Sequence, residues 1–150
     1  MSSGVRELRV WQECVALAGD VIRAARQGMR RETKAISEAL MATALTAATH
    51  IADGYGRATP AEQREAYHQG KRALLRLETE LAVAKHADLI PAGSFTELAA
   101  RAGQVTKMLG GFLAYLDRQL VEAGSRASPT PASSDAERAT VSPGSARAPS

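Results

Sequence analysis

The stretch Ala39-Leu40-Met41-Ala42-Thr43-Ala44-Leu45-Thr46-Ala47-Ala48-Thr49-His50-Ile51-Ala52, running on into Asp53-Gly54-Tyr55-Gly56-Arg57, decides how this chain folds. No Asp, Glu, Lys or Arg occurs from Ala39 to Ala52, although charged residues make up 23% of the protein. A helix with no charged side is covered on most of its circumference, by sister helices or by another subunit. Thr and His interrupt the stretch, and it falls short of the about 20 largely apolar residues that a bilayer span needs. It therefore reads as the central helix of a helical assembly, with Ala, Thr and Gly letting neighbouring backbones come close.

Outward from that helix, the 150 residues suffice for one domain. Apolar residues form 45% of the chain and aromatics only 4%, so the core must be built from Leu, Ala, Val and Ile, which favours helices over sheets. A single cysteine, Cys14, cannot close an internal disulfide, and no leader-like segment opens the sequence, so a cytoplasmic location is expected. The formal charge of +3 is modest, but the isoelectric point near 9.4 leans toward anionic partners.

On the N-terminal side, Leu8, Trp11, Val15, Ala18, Ile22 and Ala25 recur at steps of three and four, the period of an amphipathic helix. A second seam, Val10, Cys14, Leu17, Val21 and Ala24, runs beside it. The apolar arc is wider than one bundle core requires and points to an oligomer interface. Gln27-Gly28 ends this helix, and Arg30, Arg31 and Lys34 cluster at the connection. The central helix is expected from about Arg31 to Asp53, with Gly54 as a left-handed terminator.

On the C-terminal side, Thr59-Pro60-Ala61-Glu62 has the form of a capping box with proline at the first helical position. The third helix then buries Tyr67, Gly70, Leu74, Leu77, Leu81 and Ala84 and is expected to end near Asp88. Ser94-Phe95-Thr96-Glu97 repeats the capping pattern for a fourth helix carrying Leu98, Ala102, Val105, Leu109, Phe112 and Leu116 to about Glu122. From Gly124 onward Ser, Ala, Pro, Thr and Arg dominate, with four of the six prolines, a composition that cannot bury a core. The fold class is all-α: an antiparallel up-down-up-down four-helix bundle over residues 5–122, then a disordered tail over 123–150.

Arg64, His68, Arg72 and Arg76 follow one another at i+4 on the third helix, with Lys71 beside them. A solvated helix face is the plain reading of such a row. The sharper one is a phosphate-contacting stripe, because guanidinium forks match phosphate oxygens. Arg30, Arg31 and Arg57 join it as further candidate nucleic-acid contacts. Aromatics are too few for base stacking, so recognition by shape and backbone charge is expected. Glu65-Ala66-Tyr67-His68 has the Glu-x-x-His spacing of di-iron bundles, which need two copies and inward glutamates; one copy occurs, and no metal or other cofactor is expected. His68-Gln69-Gly70-Lys71 half meets the pattern of a phosphotransfer bundle, with the glycine on the wrong side of the lysine. Asp53 to Arg57 lacks the full glycine pattern and preceding strand of a phosphate loop. No catalytic residues are assigned.

The chain resembles the four-helix-bundle proteins encoded in 23S ribosomal RNA intervening sequences, over roughly Val5 to Asp117. Leu8-Arg9-Val10-Trp11 is similar to their opening Leu-x-Val-Trp, and Ile51-Ala52-Asp53-Gly54-Tyr55-Gly56-Arg57 to their Ile-Ala-Glu-Gly-x-Gly-Arg turn. Leu77-Glu78-Thr79-Glu80-Leu81 and Met108-Leu109-Gly110-Gly111-Phe112 supply two more segments in the family's order. The resemblance implies a homopentamer, a nucleic-acid-binding role and no catalytic activity. It extends to the accessory variability determinant proteins of diversity-generating retroelements, which implies a reverse transcriptase and its RNA as alternative partners. A purely structural protein-protein adaptor is the remaining alternative. Met41-Ala42 stands where the family often has an arginine pair, His50 where it has Asn, and Arg72 where it has Gly.

Overall fold

The computed structural model describes residues 4–127. Among these the chain forms four α-helices, α1 (Arg9–Gly28), α2 (Lys34–Gly56), α3 (Pro60–His86) and α4 (Ala92–Ala127), with short 3-10 turns at Gly4–Glu7 and Arg31–Thr33 and no strand. The compact unit Met1–Leu116 holds the bundle core, and a second unit begins at Asp117. The tail expected over 123–150 lies, from residue 128 on, outside the described residues, while α4 itself runs past Glu122.

Leucines, alanines and short branched residues fill the core, as the scarcity of rings requires. Leu17, Leu40, Ile51, Leu74, Leu77, Leu81 and Leu109 are its largest fully buried side chains. All of the seam expected on α3 is buried, and on α4 all of it except Phe112, which is half-buried. On α1 the second of the two seams turns out to be the inner one. Val10, Cys14, Leu17 and Val21 form the core line, with Ala18 and Ala25, whereas Leu8, Trp11 and Ile22 are half-buried and Val15 is 40% exposed. The wide arc is therefore a buried stripe with an apolar shoulder left outside.

Contacts between successive helices join the late part of one to the early part of the other, the pairing an antiparallel bundle makes. Buried Ser37 donates its hydroxyl to the Ala25 carbonyl at 3.2 Å, tying the start of α2 to the end of α1. Gly70 packs near His50 and Ile51, the Tyr67 ring lies 5.6 Å from that of Phe112, and the Lys85 ammonium sits 5.0 Å over the Phe95 ring.

Three further helix ends differ from expectation. Gly54 is not a left-handed terminator: α2 continues through it to Gly56, and among the described residues positive φ occurs only at Gly4 and Asp88. The glycine serves close approach instead, since a Cβ there would lie 2.6 Å from Tyr67 Cε1. The α-helical part of α2 begins at Lys34, because Arg31–Thr33 takes the tighter 3-10 form. Ser94 does not cap α4, which starts at Ala92, with the Phe95 N–H bonded to the Pro91 carbonyl at 3.0 Å. Proline fits before the first turn because an N–H there would have no helical partner. Thr59 does cap α3, accepting from the Glu62 N–H at 3.2 Å.

Asp88 takes φ 61° between α3 and α4, a left-handed conformation that Asp tolerates better than most residues. The turn it makes seats the Leu89 carbonyl against Gly28, where any Cβ would overlap that oxygen.

Candidate functional site

The uncharged helix is only partly covered within one chain. Its inner face, Leu40, Ala44, Ala47, Ala48 and Ile51, is buried, while Ala42, Thr46 and Thr49 are exposed and Leu45 is 58% exposed. Half-buried Met41 and the α1 shoulder of Leu8, Trp11 and Ile22 pack at the edges of the core. The exposed surface of α2 thus carries no charge between Ala39 and Ala52, with Leu45 its large apolar side chain.

α2 meets α3 across a groove of about 400 Å³. Ala39, Ala42, Thr43 and Thr46 line it from α2, and Arg72 and Arg76 from α3. Small side chains open this groove, since nothing on α2 reaches across it. A second cleft of about 320 Å³ shares His50 and Gln69 with it and adds Asp53, Arg57, Glu62 and Glu65.

The α3 row does not act as one face. Each four-residue step turns about 40°, so the three steps from Arg64 to Arg76 accumulate roughly 120°. Arg72 and Arg76 turn into the α2/α3 groove, whereas Arg64, His68 and Lys71 do not line it. Arg64 and His68 are half-buried, and Lys71 is exposed. Leu75, 65% exposed, emerges within the row, and Val83 follows at 50%.

Carboxylates hold the groove arginines in place. Arg72 meets Glu65 at 3.3 Å, Arg76 Nε meets Glu80 at 2.9 Å, and Arg57 is bidentate to Asp53 at 3.0 and 3.1 Å. The Asp53 hydrogen bonds and charge raise the Arg57 pKa further above its ordinary value. Glu80 is largely buried, and its second oxygen has no hydrogen-bond partner, so it anchors Arg76 from below. The exposed pairs of Arg57 and Arg72 contribute about 0–1 kcal/mol each, which leaves those two arginines able to exchange a carboxylate for another anion, whereas Arg76 is held by a carboxylate that is largely buried.

Arg30 and Arg31 are exposed at the opposite end of α2 from Arg57, roughly 35 Å away at 1.5 Å per residue. Arg72 and Arg76 thus line the α2/α3 groove and Arg57 the adjoining cleft, while Arg30 and Arg31 lie apart from both. Glu65 and Glu80 were visible beside the row in the sequence, but their pairing with particular arginines was not. The i+4 spacing of Arg76 and Glu80 was the available signal for one, and the two-turn spacing of Glu65 and Arg72, which leaves them on the same side of α3, was a weaker signal for the other.

Burial pushes the Cys14 thiol up to about 12, far from thiolate reactivity. Among the described residues no three His, Cys, Asp or Glu side chains converge as a metal-binding group. Nor is any described helix long and apolar enough to cross a membrane.

The model of the 23S rRNA-intervening sequence protein family matches residues 6–111. The chain belongs to that family. The match takes in α1, α2, α3 and α4 as far as Gly111, so the groove and the apolar shoulder both lie on family-matched residues of this intervening-sequence protein. No curated protein matches the chain.

Proposed function

We propose that this intervening-sequence protein is a non-enzymatic scaffold that assembles into a ring of identical copies, a homopentamer by family resemblance, and holds RNA through backbone phosphates. The observation that carries the reading is the exposed, charge-free surface of α2, on which Leu45 stands out and part of which lines the arginine-bearing groove against α3. A large apolar side chain exposed on an uncharged helix face suits a protein contact. Repeated copies then multiply a small charge: sixteen basic against fourteen acidic residues up to Glu122 leave about +2 per copy and about +10 in five. Arg57, Arg72 and Arg76 are the phosphate contacts in this reading, Arg57 and Arg72 by exchanging their carboxylates for phosphate oxygens.

The test combines light scattering with RNA binding at two ionic strengths. A multimer whose RNA affinity falls steeply with salt is expected, each phosphate contact adding about 0.7–0.9 to the slope of log K against log salt. A folded monomer at working concentration, or an assembled protein whose RNA recovery is absent or indifferent to salt, overturns the proposal.

Leu75 and Val83 favour a second reading. Large apolar side chains exposed on the outer face of α3 suit a protein partner better than a phosphate backbone, as in an adaptor or a reverse-transcriptase accessory. Leu75→Gln that abolishes partner capture while leaving RNA affinity unchanged would select it.

A further inference from the structure

The cations of the groove are each tied to a carboxylate, and the contrast with the other end of the bundle is informative. Where the α3–α4 turn folds back onto the end of α1, a cleft of about 560 Å³ opens between Arg30 and Lys85. Neither side chain makes an ion pair with any described carboxylate. Lys85 is fixed by the face of Phe95 at 5.0 Å, a contact that orients the ammonium without neutralising it. Gln27 and Ser94 add neutral hydrogen-bonding groups to the wall, and Asp88 is the one acidic side chain in the lining. The wall is also stiff, because the Leu89 carbonyl rests on Gly28 with no room for a Cβ between them.

We infer that this cleft is a phosphate-binding site, separate from the α2/α3 groove, in which Arg30 and Lys85 hold the oxygens of one phosphate group from opposite sides. Arginine supplies a planar fork and lysine a compact point charge, a combination suited to an anion with several equivalent oxygens. The cleft admits more than a bare ion, so the phosphate of a nucleotide or of an RNA end fits the same chemistry. That the ligand belongs to RNA rests on the function proposed above; that a phosphate binds here does not.

The experiment uses the full chain in two arms. In the first, inorganic phosphate is titrated and followed by amide chemical shifts and calorimetry, for the parent protein and for Arg30→Gln, Lys85→Gln, Asp88→Asn and Arg72→Gln, each checked for an unchanged helical spectrum. Saturable binding is expected, weakened about tenfold or more by Arg30→Gln or Lys85→Gln, strengthened by Asp88→Asn and indifferent to Arg72→Gln. Absence of saturable binding, or equal affinity in the Arg30→Gln protein, overturns the inference. Because Arg30 is exposed and bears no tertiary side-chain bond, its variant keeps the test decisive even where Lys85→Gln loosens Phe95. The second arm compares a short RNA with a 5′-phosphate against the same RNA with a 5′-hydroxyl. A preference for the phosphorylated end that Arg30→Gln removes makes RNA the source, and no preference alongside intact phosphate binding makes it a free phosphate or small ester. Failure of RNA binding with phosphate binding intact overturns the function proposed above and leaves this site standing.

Discussion

The ring of Tyr67 lies directly against the bare backbone of Gly54, so that a Cβ at 54 would fall 2.6, 2.7 and 3.0 Å from its Cε1, Cδ1 and Cζ. Behind it stands Phe112, 5.6 Å from ring to ring, which limits the tyrosine's retreat. Overpacking of this kind costs about 1–3 kcal/mol, against about 1 kcal/mol that alanine returns inside a helix. Gly54→Ala is therefore expected to destabilise the fold by about 1 kcal/mol, with Tyr67→Leu in the same chain relieving the clash. Urea denaturation of the two single variants and the double variant measures the coupling.

Gly110 and Gly111 behave oppositely. Each would place a new Cβ in open space and neither has positive φ. Alanine at either position is expected to stabilise the chain by up to about 1 kcal/mol, seen as a raised Tm. If these substitutions also reduce assembly, the pair faces a neighbouring copy.

Leu45→Glu places a charge on the exposed, uncharged face of α2 without touching the core. The expected outcome is a smaller species by light scattering with an unchanged helical circular dichroism spectrum. An unaltered assembly would move the contact elsewhere on the molecule.

Hydrogen bonds from Arg101 hold Asp20 below the usual carboxylate range, with Arg23 adding to the effect. A depressed folded-state pKa gives stability that is present above the unfolded value near 3.9 and is lost as pH falls through the folded one. The parent is therefore expected to lose stability to acid below about pH 4 more steeply than Asp20→Asn. Thermal melts across pH 2–6 compare the two.

Cys14 has the reverse sign of shift, its thiol pushed up to about 12 by burial. The folded state keeps the proton that an unfolded chain releases above about 8.5, so this contribution declines as pH rises from there toward 12. At neutral pH a thiol reagent is expected to label Cys14 no faster than the chain opens, and denaturant should remove the protection.

Helix periodicity reveals the bundle because burial on α3 and α4 repeats every three to four residues, and Tyr67, Leu74, Leu81, Leu98 and Leu109 fall where that period puts them. The ends were harder. Gly54 carries the usual mark of a helix stop, but the ring it accommodates is contributed by a residue on the next helix, which local sequence does not display. Ser94 likewise resembles a cap, yet Pro91 had already started the helix. On α1 two apolar seams were equally visible, and only the direction of the neighbouring helices decides which is inside. The basic row was legible as a list of residues, but which of them border a cavity was not, because that depends on where α2 lies: Arg72 and Arg76 line the groove and Leu75 stays outside. Lys85 and Arg30 are 55 positions apart in the chain, and their convergence follows from the α3–α4 turn closing on α1.

That closure is made of main-chain atoms on one side and an absent side chain on the other. No replacement at Leu89 can withdraw a carbonyl oxygen, so tolerance to sequence drift is lopsided: position 89 can change its side chain and keep the seat, whereas position 28 has no substitute that fits. A methyl group there would prise the turn from α1 and pull Lys85 away from Arg30, making one glycine the hinge pin of a cleft to which it contributes no chemistry.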